Sequence, residues 1–191
     1  RIGCVIDGVP AGTPVSTGRM LADLALRKPA PGIGTPRVEA DAPEISGVVN
    51  GVATGAPVVI SFANANTKSS DYSELRVTPR PGHADYPALC KYGDAHDIRG
   101  GGMFSGRMTT PLVAAGALMR DMIEPLGITV GSYLSRIGTI VDTNDYAAED
   151  LVRSRENPLR AMTDDLAARM RAEILAAKAE GDSVGGIVRC M

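Results

Sequence analysis

Residues 44–64 read "EISGVVNGVATGAPVVISFAN", two β-branched runs set around Asn50-Gly51. Asn and Gly accept the positive φ of a tight turn, so Val48 and Val49 lead into a hairpin, and Val58, Val59 and Ile60 begin a further strand. Upstream, "RIGCVI" alternates Ile2, Cys4 and Ile6, the pattern of a half-buried strand, and Asp7-Gly8 with "PAG" supplies the turn after it. Ser16 or Thr17 is placed to cap a short helix with Leu21 and Leu24 on one face, stopped by Pro29. Arg27-Lys28 then falls at the helix C-terminus, where the dipole favours cations; a solvated helix end is the plain reading of that pair.

Downstream, residues 64–97 are polar and turn-rich, holding "NANTKSSDYSEL", "RPGHADY" and most of "KYGDAHDIRGGG", with no strong periodicity. Thr109-Thr110-Pro111 reads as a cap followed by proline in a first helical turn, and Leu112, Ala115, Met119, Met122, Ile123 and Leu126 are expected to line the buried face of the helix that follows. The N-terminus of that helix points back at "RGGGMFSGR". Free N–H groups, a positive dipole end, three glycines and the flanking Arg99 and Arg107 could together hold an anion such as phosphate. A glycine-rich turn with incidental arginines is the competing reading. "GITVGSYLSRIGTIVD" predicts one or two strands. "TDDLAARMRAEILAAKAEG" predicts a helix capped by Thr163, with Leu166, Met170 and Ile174 buried and Gly181 at its end, and "SVGGIVRC" predicts a last strand. Strands and helices interleave, so the class is α/β or α+β, and residues 1–191 read as a single domain with no internal boundary.

Composition limits the job. Hydrophobic residues are 44% and charged residues 22% of the chain, which excludes disorder, and no apolar run is long enough to span a bilayer. Twenty Lys+Arg against 22 Asp+Glu leave no basic field for nucleic acid. Three scattered cysteines without a C-x-x-C pair, and no leader at the start, predict a reduced, cytoplasmic protein. The chain starts and stops inside apolar strand patterns, so both ends are expected to be cut.

His83 in "RPGHADY" is one of two histidines. It can be a structural hydrogen-bonder, a metal ligand or an acid/base. No Cys/His/Asp/Glu cluster has ligand spacing, and there is no G-x-S-x-G elbow and no cysteine at helical or adjacent spacing from a histidine. An imidazole beside Arg80 and close to the Gly-rich loop could hold or deliver a proton near an anionic ligand.

The strings "GCVIDGVPAG", "ISGVVNGVATGAPV", "DYSEL", "RPGHADY", "KYGDAHDIRGGGMFSGRMTTPLVAAGA" and "GDSVGG" occur in the order and spacing of chorismate synthases. The chain resembles the N-terminal half of that family over nearly its whole length. The resemblance implies an α/β (α+β) fold with the family's β-α-β sandwich core, incomplete over these residues. It implies a cytoplasmic shikimate-pathway lyase, serving aromatic amino-acid biosynthesis, that uses reduced FMN to convert 5-enolpyruvylshikimate 3-phosphate to chorismate by 1,4-elimination of phosphate. It also implies a homotetramer, with a separate flavin reductase as a possible partner and neither nucleic acid nor membrane. His83 matches the family histidine beside the reduced flavin, which supplies or stabilises its proton. Ser105 and Arg107 match the serine and arginine of the R-S-S-A-R segment at flavin and substrate, and Met103 and Phe104 fall with Ser105 on the cofactor side. Arg27 matches the middle arginine of R-R-R-P, a ligand of substrate anions. His96 matches nothing and is expected at the surface.

The chain departs from the commonest pattern. Met103-Phe104-Ser105-Gly106-Arg107-Met108-Thr109 stands in place of R-S-S-A-R-E-T and resembles instead a subgroup with H-F-S-G-R-L-T, while "LRKP" stands for R-R-R-P. Charge is thereby lost at 103 and 108. The family's G-E-S-H-G motif, with a second histidine, is expected just before Arg1, and the C-terminal half after Met191. A non-catalytic anion- or flavin-binding module on the same scaffold and an unrelated flavin redox protein are the competing classes.

Overall fold

The computed structural model describes residues 1–34, 39–63, 72 and 74–191. "NANTKSSDYSEL" therefore lies largely outside the described residues. The chain divides into two compact units, Arg1–Leu21 with Val38–Ala117, and Ala22–Arg37 with Leu118–Met191.

In the first unit, β1 (Ile2–Ile6), β5 (Val58–Phe62) and β2 (Pro43–Ser46) form an antiparallel sheet with β5 in the middle. Ile2, Cys4 and Ile6 turn to the covered side, as their alternation predicts, and Val58, Ile60 and Phe62 are fully buried. Between β2 and β5, β3 (Val48–Val49) and β4 (Val52–Ala53) make the expected hairpin. Asn50 and Gly51 have φ of 51° and 77°, the mirror-image turn that suits strand twist. Every strand pairing described is antiparallel, so the class resolves to α+β.

Helix α1 (Thr17–Arg27) is capped by Ser16, whose Oγ accepts from Arg19 N at 3.2 Å. Its buried pair is Met20 and Leu24; Leu21, expected inside, is exposed. Met20 and Leu24 stand one turn apart on one stripe, whereas Leu21 lies about 100° around the helix. Two further helices are α2 (Asp85–Tyr92), unforeseen in the polar stretch, and α3 (Thr109–Ile123). In α3 the buried stripe is Thr110, Pro111, Ala114, Ala117 and Leu118, so the expected face is rotated by one residue and Leu112 and Leu126 stay exposed. Both stripes have helical period, and the small alanines, which permit close approach, define the buried one. The Cys4 thiol, donating to the Pro111 carbonyl at 3.5 Å, ties the inner face of β1 to the first turn of α3.

In the second unit, β6 (Ser132–Ile137) lies between β7 (Ile140–Val141) and β8 (Gly186–Cys190), again antiparallel. Helix α4 (Asp164–Ala179) begins at Thr163, whose Oγ1 accepts from Leu166 N at 3.2 Å. Leu166 and Met170 pack on Ile137 and Ala161 with Ile174 beside them, the predicted stripe. Arg160, left-handed at φ 61°, accepts from Leu134 N through its carbonyl and donates through Nη2 to the Leu26 carbonyl at 2.7 Å. It thereby caps the last turn of α1, next to Arg27. Asp23 is gripped by both Arg120 and Arg155.

Candidate active site

The stretch "RPGHADY" folds as a turn followed by the first residue of α2. Gly82, at φ 69°, lets residues 80–83 reverse, and His83 N donates to the Arg80 carbonyl at 3.4 Å. Asp85 opens α2, where an anion is favoured, and Pro87 sits in the same turn, whose N–H groups lack helical partners in any case. The Asp85 carboxylate is buried and triply held by Arg80: from N at 3.1 Å, Nε at 2.7 Å and Nη2 at 3.0 Å. This fork holds the carboxyl well below the usual carboxylate range. The other side of Asp85 meets His83 Nδ1 at 2.7 Å. Arg80 Nη2 lies 3.3 Å from Nδ1 and 3.4 Å from Nε2 of that ring, so the guanidinium sits over the imidazole face. His83 is about one quarter exposed, at 26%.

His96, expected at the surface, is buried. Its ring stands 6.3 Å from that of Tyr92 and 6.0 Å from that of Phe104, and its carbonyl accepts from Arg76. Tyr92 closes α2 and Phe104 closes a separate 3₁₀ turn, so the enclosure joins elements that no single periodic run reveals. Asp85 and His96 line one small cavity with Leu75, Arg76 and Leu89. The ring also reaches the Gly-rich loop. Gly102 has φ 59°, and a Cβ there would meet Asp97 O at 2.4 Å and His96 Cε1 at 3.3 Å. Gly102→Ala is expected to lose more than about 2 kcal/mol, through strain and backbone contact together. A urea-unfolding midpoint equal to that of the wild type would contradict this packing of the loop.

The loop runs as two short 3₁₀ turns, Arg99–Phe104 and Gly106–Met108, into α3. Ser105 Oγ accepts from Arg107 N at 3.3 Å and Ser105 O from Met108 N at 2.9 Å. The Thr109 hydroxyl donates back to the Gly106 carbonyl at 2.7 Å, and Ser105 caps the short Gly106–Met108 turn that leads into α3. Both arginines flanking the loop are engaged. Arg99 forks onto Asp97, which is held down to about 2. Arg107, only 9% exposed, reaches Asp41 at 2.6 Å, Glu39 at 3.8 Å and the Ala63 carbonyl at 3.4 Å. Met103 and Phe104 are exposed. Among the described residues no hydrogen bond or ion pair joins His83 to Ser105 or Arg107. Arg27 closes α1 in the second unit. No group of three or more His, Cys, Asp or Glu among the described residues could hold a metal, and no described helix is long and apolar enough to cross a membrane.

The class so defined is an α+β protein that offers a carboxylate-held imidazole and a serine-capped, glycine-rich helix entry. The chorismate synthase family model matches residues 1–191. Similar relatives are the chorismate synthases of Pyrococcus abyssi, 43% identical over 98% of this chain and 52% of that protein, and Ignicoccus hospitalis, 44% identical over 100% and 50%. The chorismate synthase of Chitinophaga pinensis is 44% identical over 100% of this chain and 49% of its own. A crystal structure of chorismate synthase shares the fold, with a TM-score of 0.70 and 22% identity over 98% of this chain and 53% of that one. The chain belongs to the chorismate synthase family, and it spans about half the length of the curated relatives it matches.

Proposed function

We propose that the protein is a lyase of the shikimate pathway that converts 5-enolpyruvylshikimate 3-phosphate to chorismate and phosphate on reduced FMN. Residues 1–191 act in it as one N-terminal domain. The observation that carries this reading is His83, fixed at Nδ1 by a buried carboxylate and leaving Nε2 to exchange a proton. Reduced FMN, when bound, lends electron density to the substrate and takes it back. The residues present fit such a group: exposed Met103 and Phe104 offer apolar surface to a flat ring, beside Ser105 at the entry to α3. With reduced FMN bound, His83 would exchange a proton at Nε2, its Nδ1 being held by Asp85. Arg27, Ser105 and Arg107 bind and orient the phosphate and carboxylates of the substrate. The protein works in the cytoplasm as a homotetramer.

The full-length protein, given the substrate and chemically reduced FMN under nitrogen, is expected to release chorismate and phosphate one for one with no net oxidation of flavin. Ligand binding without turnover would mean a non-catalytic module. Flavin oxidation in step with product would mean a redox enzyme.

A further inference from the structure

We infer that Asp85 is the positioning residue of the site: it fixes the tautomer and aim of His83, and Arg80 holds it in place for that task. This rests on the acid/base reading of His83. Asp85 Oδ1 stands 2.7 Å from Nδ1, and the same carboxylate takes three hydrogen bonds from Arg80. An ionised carboxylate can only accept, so the hydrogen between the two groups belongs to Nδ1. Nε2 is then the one ring atom free to gain or lose a proton. The charged and titratable groups around Asp85 are Arg80 and His83 on its own turn, and Arg76 and His96 across the shared cavity. Arg80 spends its fork on Asp85 and sets Nη2 against the imidazole, so it orients the pair.

In Asp85→Asn the side-chain oxygen stays with Arg80 and the amide turns its N–H to Nδ1, which drives the ring proton to Nε2 and spoils the cycle. Made in the full-length protein, this variant is expected to lose about 100- to 10,000-fold in kcat, the range for an acid/base histidine held in the wrong tautomer, with KM for the substrate little changed. Nitrogen-15 spectra of the His83 ring, assigned by comparison with His83→Gln, are expected to move from the Nδ1–H to the Nε2–H pattern. On a His83→Gln background, Asp85→Asn is expected to cost nothing further in kcat, because the group it positions is gone. Asp85→Glu keeps the anion that Arg80 requires. It is expected to fold, to keep the Nδ1–H pattern and to recover most of kcat, which covers the case of an asparagine variant that does not fold. Wild-type kcat and ring pattern in Asp85→Asn, losses that multiply in the double variant, or a folded Asp85→Glu as inactive as His83→Gln would each overturn the inference and leave His83's role intact. Normal turnover in His83→Gln would instead defeat the acid/base reading itself, and this inference with it.

Discussion

His83→Ala in the full-length protein is expected to retain its melting temperature and to lose roughly 100- to 10,000-fold in turnover, the range for removing one positioned acid/base group. Stability is spared because the alanine deprives Asp85 of one partner only, and the three bonds from Arg80 still balance the buried carboxylate. The ring is partly open to solvent and anchors no apolar cluster, so its loss leaves no sealed cavity. Thermal unfolding and anaerobic turnover of the same preparation check the two halves of this expectation. Near-normal turnover would reduce His83 to a hydrogen-bonder of the turn. A large fall in melting temperature would give it a structural role that the contacts do not predict.

Arg107→Met is expected to act the other way, on stability first. Glu39, Asp41 and Arg107 are each about nine-tenths buried, and the methionine removes a guanidinium that reaches both carboxylates. Breaking a buried pair from one side costs about 3–5 kcal/mol, more than the about 1.5–3 kcal/mol of a charge-assisted contact to a ligand. The urea midpoint of Arg107→Met is therefore expected to fall steeply, and that of Arg107→Lys less so, since lysine keeps the charge but not the fork. An unchanged midpoint in the methionine variant would show that Asp41 and Glu39 do not depend on Arg107. Binding is read separately, by titrating the folded lysine variant with substrate at two ionic strengths.

Short-range chemistry made much of this legible in advance. The alternation of β1, the Asn50-Gly51 turn, the Ser16 and Thr163 caps and the stripe of α4 each rest on neighbours within one turn or one hairpin. Where two stripes of α3 had equal period, size alone pointed to the wrong one, because close helix packing prefers Ala114 and Ala117 to Leu112. Helix α2 was hidden by its own proline, although Asp85 with Pro87 in a first turn is a start signal. In the site, motif spacing brought out His83, Ser105 and Arg107. The partners of Arg107 and the burial of His96 were not legible. Asp41 and Glu39 lie more than sixty residues from Arg107, and the burial of His96 depends on two rings from separate short elements.

The order of strands in the first sheet also bears on how the chain is made. The middle strand β5 can zip onto β2 through a short connection, with Ser46 opposite Val59, but β1 meets the same strand across some 60 residues, Ile2 opposite Phe62. During synthesis β1 leaves the ribosome with Ile2, Cys4 and Ile6 uncovered, well before its partner β5 follows. At about 5–20 residues per second that wait lasts roughly 3–12 s. For that interval the edge of β1 that β5 will take is an open template, exposed to pairing with another chain.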